Sequence, residues 1–304
     1  MTLSSIVKAL GGVLYAGGRR ASIPAPGHSR SDRSVSLLLR DDRVIIHCFG
    51  ASDWREVRAE LQARRLIGDD GRIAGVHVSG HQAPPPGSRP DRLSRVRRAE
   101  AIWDDCSVLI PASPAGRYLQ RRAVSYFGEG DDALRAGRVP VRAYADAGAR
   151  LPALVAAIRD GHGLLSAVEI TYLDPDGRRL DRPSPSRKII GVLPAGCAVR
   201  LQTAQSKLLV AEGVFTALSA GVRFARPAWA LLSAGALSRW SPPSFVREVM
   251  IAADAGDAGE RSARILAHRL RRQGLRVDLR WPPIGEGDWN DLAQKQAVLK
   301  RRGP

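Results

Sequence analysis

The sequence predicts an α/β protein: α+β parts in front, then a C-terminal domain with a mostly parallel sheet flanked by helices. Two observations over the last hundred residues carry this. Apolar strands alternate with helices, at Lys207–Ala211, 214–220, 249–253 and a following helix in which Ala263, Leu266, Ala267 and Leu270 fall at i, i+3, i+4 and i+7. Apart from the leading Lys207, those strands are apolar throughout, as strands covered on both faces are. A third observation bounds the class: 44% of the 304 residues are hydrophobic, enough for a substantial core. No apolar run approaches the roughly 20 residues of a membrane-spanning helix.

Taken in order, residues 1–20 read as a short amphipathic helix with Ile6, Leu10 and Leu14 on one face. No basic stretch precedes the apolar one, so a signal peptide is not expected. Val44-Ile45-Ile46 is a strand signal, and Asp53 stands where a helix N-cap would, before Trp54, Val57 and Leu61. This front part spans 1–66. Residues 67–98, with Pro84-Pro85-Pro86 and a basic run, read as a linker. The middle part, 99–202, opens with helices near 99–106 and 115–123. It then turns to a strand in which Val168, Ile170 and Tyr172 alternate with Glu169 and Thr171, closed by a turn at 174–177. Trp103 and Tyr118 fit core positions better than a stacking platform. The last part, 203–304, holds the alternating strands and helices. Gly221 and Gly274 read as helix stops, Leu275, Val277, Leu279 and Trp281 as a closing strand, and residues 300–302 as a frayed end.

Charge sets the class of partner. There are 47 Lys+Arg against 30 Asp+Glu, a net +17, and 42 of the basic residues are arginine. A polyanion, nucleic acid above all, is the partner such a balance implies. Three scattered cysteines, Cys48, Cys106 and Cys197, fit a reducing cytoplasm and offer no disulfide framework. No Walker-type phosphate loop occurs.

Candidate chemistry sits where strands end. Glu212 directly follows the strand 207–211, and Asp254 directly follows 249–253, each with glycine beside it. In a parallel sheet, sites form at the carboxyl ends of strands. Two carboxylates delivered to one edge repel unless a cation such as Mg²⁺ compensates. Either acid alone fits a helix N-terminus equally well; the pair, in so basic a chain, argues for the ion. Asp288 and Asp291, in 287–291, either add to that acidic site or cap a terminal helix. Arg187, Lys188, Arg200 and Lys207 are candidate contacts for nucleic-acid phosphates.

The pattern strand–Glu-Gly–helix (208–221), then strand–Asp-x-Asp-x-x-Gly–helix (249–263), resembles the Toprim domain shared by primases, topoisomerases and some nucleases. Residues 171–180, 188–201 and 287–294 extend the likeness, which is closest to Toprim primases of phages and mobile elements. Residues 24–37 and 44–54 resemble the zinc-binding module at the front of bacterial-type primases, in degenerate form. Ala25 and Ala51 replace two of its cysteines, leaving His28 and Cys48. Two ligands cannot hold structural zinc unless a neighbour such as His47 substitutes, so no zinc is expected.

The resemblance implies Mg²⁺-dependent (or Mn²⁺-dependent) primer synthesis on single-stranded DNA. Nucleoside triphosphates are the substrates and a separate replicative helicase a partner. Glu212 and Asp254 would be catalytic, and Glu212, Asp254 and Asp257 would hold the metal. Gly256 occupies the place of the motif's second Asp, with Asp257 one position later. That departure keeps two other readings open, a Toprim nuclease and a non-catalytic DNA-binding accessory protein.

Overall fold

Alternating apolar residues build the front unit, Met1–Pro85. After α1 (Ser4–Leu10), the strands β1 (Val13–Tyr15), β2 (Arg20–Ile23), β3 (Val35–Arg40) and β4 (Arg43–Cys48) form an antiparallel meander in that order. Val35, Leu37 and Leu39 point inward at period two, against Ile6 of α1 and against Val57 and Leu61 of α2 (Trp54–Ala63). The computed structural model describes residues 2–302 except 16, 31, 41, 49–52, 74–90, 127–132, 142–147 and 182–185.

Two expectations change here. The first helix stops at Leu10, because Gly11 takes φ +83°, and Leu14 belongs to β1 instead. Asp53 caps α2 as expected, accepting the Arg55 amide, but Trp54 is 45% exposed and lies off the buried face.

Where zinc ligands would sit, the loop is held by a carboxylate. Asp32 accepts the amides of Ala25 and Ser34, each at 3.1 Å, and the Ser34 hydroxyl at 2.5 Å. His28 Nδ1 lies 3.1 Å from the same carboxylate. Burial works to raise the Asp32 pKa, but these hydrogen bonds and His28 outweigh it and hold the acid below its usual range. Ala25 is buried in the core. Ala51 lies outside the described residues.

Of the expected linker, 74–90 falls outside the described residues, and both flanks are structured. Ile67 bridges Ile73, and the Val44 amide donates to Gly71. The next helix, α3 (Arg92–Asp104), starts seven residues ahead of the expected 99, since Asp91 caps it by accepting the Ser94 amide at 2.6 Å.

The second unit, Pro86–Pro304, holds two sheets. α3 leads to β5 (Ser107–Val108), α4 (Pro114–Arg121), β6 (Leu134–Pro140), β7 (Arg150–Arg159), β8 (Leu165–Tyr172) and β9 (Arg187–Gly191). The five strands make an antiparallel sheet in chain order. Trp103 of α3 packs on one face with Val155, Ile170 and Tyr172. Tyr118 and Leu119 of α4 join Leu154 and Ile158 on the other. Both aromatic residues, Trp103 and Tyr118, are core.

Then come β10 (Val199–Arg200), β11 (Lys207–Ala211), α5 (Val214–Phe224), β12 (Ala228–Ala230), α6 (Ala234–Arg239), β13 (Glu248–Ala252), α7 (Asp257–Arg272), β14 (Arg276–Arg280) and α8 (Trp289–Arg302). The second sheet runs β10-β12-β11-β13-β14, parallel except for β10. This is the mostly parallel, helix-flanked sheet the sequence predicts. The four apolar positions 263, 266, 267 and 270 of α7 are all buried.

The boundary expected at 202 falls inside this unit. β10 precedes it yet belongs to the second sheet, and Arg159 and Ala198 exchange backbone bonds between the sheets. One core cluster joins Leu154 and Ile158 to Leu209, Ala217 and Trp289. α5 also runs past Gly221 to a left-handed cap at Ala225; Gly221 is there for space, since a Cβ on it would sit 3.0 Å from that of Ala228. α8 continues to Arg302 where fraying from 300 was expected. Among the described residues no helix is long and apolar enough to cross a membrane.

Three hydrogen bonds converge on Asp32. Asp32→Ala should therefore cost the front unit on the order of 2 kcal/mol, read as faster hydrogen exchange at Val35–Leu39 of the full chain. Chelator should leave that exchange unchanged. A chelator effect matching that of the substitution would place a metal there instead.

Candidate functional site

β11 and β13 are parallel neighbours in register, with Ala211 beside Ala252. Glu212 is the first residue after one strand and Asp254 the second after the other, so both carboxylates arrive at the same sheet edge. The loop after β13 returns sharply into α7, and Gly259 lets it close: a Cβ there would lie 2.8 Å from the Asp254 carbonyl oxygen.

The cleft at this edge is lined by Glu212, Asp254, Asp288, Glu169, Arg187 and Arg122, together with Phe215 and Thr216 of α5. Burial raises the Glu212 pKa, while the Ala234 amide and Arg187 oppose it. Asp254 is pushed up to about 7 by burial, then by the charges of Glu212 and Asp288, with Asp291 adding; a hydrogen bond from Thr216 works the other way. One of its oxygens, Oδ1, is buried and has no hydrogen-bond partner. Glu169, delivered by β8 of the other sheet, is raised by burial and opposed by Arg187, whose Nε lies 3.9 Å from its Oε2.

Not every expected residue reaches this cleft. Asp257 opens α7 and is exposed, outside the lining. Arg187 lines the cleft, but Lys188, next along β9, points the other way. Its Nζ donates to Val141 O and sits 4.8 Å above the Tyr172 ring, and burial lowers its pKa. Arg200 stacks 4.7 Å over Trp229 and donates to the Asp160 carbonyl oxygen. Lys207 starts β11, at the end of the strand opposite Glu212.

Asp288 does both things the sequence left open: it lines the cleft, and its Oδ1 accepts the amides of Asn290 and Asp291 at the start of α8. Glu169, Arg122 and Thr216 were not singled out from sequence. Glu169 reads there as the polar half of an alternating strand, and only the pairing of two sheets reveals its neighbours. Cys106 and Cys197 are buried, with pKa values raised chiefly by that burial, to about 11 for Cys106, and are not poised nucleophiles.

The residues fit a divalent cation in one respect and not in another. The orphaned Asp254 oxygen, with Glu212 and Asp288 close enough to raise its pKa, is what a hard cation satisfies. Among the described residues, however, no three acids or other ligand types converge closely enough to form a ready cage. A Mg²⁺ held by one or two carboxylates and keeping its waters suits this geometry.

Residues 207–297 match the family model described as the Toprim domain, and residues 94–201 match a domain of unknown function, DUF7146. No curated protein matches the chain. Among solved structures, the zinc-binding and RNA polymerase domains of Aquifex aeolicus primase are 17% identical, with 98% of this chain and 81% of that one covered and a TM-score of 0.46. The primase fragment of the bacteriophage T7 primase-helicase protein is 15% identical, covering 95% and 99%, with a TM-score of 0.38. A DNA primase domain from Pseudomonas aeruginosa is 18% identical, covering 68% and 77%, with a TM-score of 0.44.

The raised Asp254 pKa carries a stability cost with a definite sign. The folded chain holds this proton more tightly than the unfolded one, whose value is near 3.8. The cost therefore accrues as pH rises from about 4 and is complete above about 7. Asp254→Asn keeps the Thr216 hydrogen bond and should raise Tm by about 3–6 °C at pH 8, with little effect at pH 4.5. Added Mg²⁺ should raise the Tm of the unsubstituted protein and leave the variant's unchanged. Thermal denaturation at both pH values, with and without Mg²⁺, measures all of this.

Proposed function

We propose that this Toprim-containing chain is a primase-like nucleotidyltransferase, making short primers on single-stranded DNA from nucleoside triphosphates with Mg²⁺. The observation that carries the reading is the cleft at the carboxyl edge of β11 and β13. There Glu212 and Asp254, which carries an unpartnered buried oxygen, line one cleft within a matched Toprim segment. A bound divalent ion would supply charge neutralisation and activation at the transferred phosphoryl group.

The chain's own residues do the rest. Glu212 and Asp254 are the groups that would hold the ion, and burial makes both avid for positive charge. Glu212, with the Ala234 amide on its carboxylate, is fixed in place to take a proton from an attacking hydroxyl. Arg187 and Arg122 bring two guanidinium groups to the same cleft, suited to the phosphates of a nucleotide or of the template. Arg122 is held 4.9 Å over the Phe215 ring, which leaves little freedom to lose on binding.

Polymerisation is favoured over cleavage by the resemblance of the front and middle segments to primase parts. One observation favours the non-catalytic reading: Gly256 lacks the motif's carboxylate and Asp257 lies outside the cleft.

Two measurements separate these readings. Incubation with single-stranded template, labelled rNTPs and Mg²⁺ should give short primers, and Glu212→Gln should reduce them at least 100-fold. Degraded template would indicate a nuclease, and no metal-dependent product at all would favour the accessory role. Binding to single-stranded DNA should weaken steeply with salt. Each neutralised phosphate contributes roughly −0.7 to the slope of log K against log salt, and Glu212→Gln should leave affinity the same or slightly higher.

A further inference from the structure

We propose that the groove between α5 and α8 docks a partner protein through a short helical segment whose apolar face is edged by acidic residues. The groove shares no lining residue with the acidic cleft, and its use is independent of the reaction assigned there.

Helical spacing makes the groove. Trp289, Leu292, Gln296 and Lys300 recur at i, i+3, i+7 and i+11 along one side of α8, opposite Val222 and Arg223 of α5. The trough between them has a volume of about 370 Å³, within the range of sites that hold a ligand. Most of its lining is apolar, and Val222 is 75% exposed there. Two packed helices with an open apolar seam take up a third amphipathic helix through anchors one turn apart.

Charge identifies the occupant. Arg223 and Lys300 are the groove's only charged residues among those described, and both are exposed. On other helices an exposed arginine is answered one turn away, Arg64 by Glu60 and Arg264 by Glu260. Arg223 and Lys300 have no acidic partner among the described residues; Arg223 lies 5.7 Å over the Trp289 ring instead. The Trp289 Nε1 is buried without an acceptor, so the wall is short of negative charge as well.

Two cations flanking an apolar trough match carboxylates flanking an apolar stripe. A nucleic-acid strand is matched instead by a track of cations with aromatic faces open to stacking. Trp289, the one aromatic side chain among the described lining residues, is buried. A second copy of this chain would bring +17 against +17.

The test is selection of a phage-displayed library of random 16-residue peptides on the full chain. Recovered peptides are then titrated, synthetic and labelled, by fluorescence anisotropy. They should carry apolar residues at i, i+3 or i+4, and i+7, with Asp or Glu beside them. Val222→Ser should weaken binding about fivefold, and Arg223→Glu with Lys300→Glu about tenfold or more. Arg261→Glu with Arg272→Glu, the same change in net charge placed on α7, should leave the Kd within about twofold. Replacing the peptide's acids by lysine should restore binding to the Arg223→Glu, Lys300→Glu variant. Recovery of no peptide, of peptides without acids, or of peptides indifferent to the groove variants overturns the proposal. So does a single-stranded oligonucleotide that displaces the peptide and itself binds more weakly to Val222→Ser, which would make the groove a nucleic-acid contact. A dimer seen by light scattering and lost in Val222→Ser would make a second copy the occupant and overturn it equally.

Discussion

Parallel pairing of β11 with β13 is the constraint from which the rest of the second unit follows. Their register places two acids side by side at one sheet edge, partly withdrawn from water, where like charges repel more strongly than in solvent. Much of the surrounding structure answers that repulsion. The Ala234 amide points at Glu212, Thr216 at Asp254, and Arg187 reaches in from a strand of the other sheet. The answer is incomplete at Asp254, and a site left short of positive charge selects for cations. Here local instability and binding capacity have one origin.

The same view changes how the net charge is understood. Many arginines close backbone carbonyls of the fold, some of them, such as Arg121 and Arg271, while remaining exposed. Arg95 donates to Gly191, Arg117 to Pro175, Arg121 to Asp176, Arg271 to Val277 and Arg269 to Trp240. Others lie over aromatic rings, as Arg135 does over Trp103 and Arg264 over Trp281. The planar guanidinium suits both uses. The charge still sums to +17 and attracts a polyanion at long range, while these guanidinium groups also brace the backbone.

The parallel sheet, its helices and the two principal acids were legible in the sequence because they rest on local signals. Uninterrupted apolar strands, the 3.6-residue period of α7 and an acid at each strand end need no knowledge of distant neighbours. Capping was equally legible at Asp53. What stayed hidden depends on pairing across long separations. Glu169 is one residue of an alternating strand until β8 and β9 place Arg187 beside it and the second sheet supplies Glu212. Lys188 and Arg200 look like free cations until their ring and carbonyl partners are known. The early start of α3 was missed because a basic run next to prolines resembles a linker, and the Asp91 cap outweighs that resemblance. Gly221 shows the opposite error, a helix stop read into a residue selected for close packing.

The hydrogen bond from Ala255 to Gly287 and the seat of Asn290 on Arg122 and Ser219 also order events in time. On the ribosome, Glu212 is made well before residue 290. Residues 287–290 complete the cleft by joining segments made long before them, Arg122, Ser219 and Ala255, so its far wall closes through contacts that span up to 168 residues of chain. The cleft is therefore assembled by long-range closure and not by the pairing of the sheet alone.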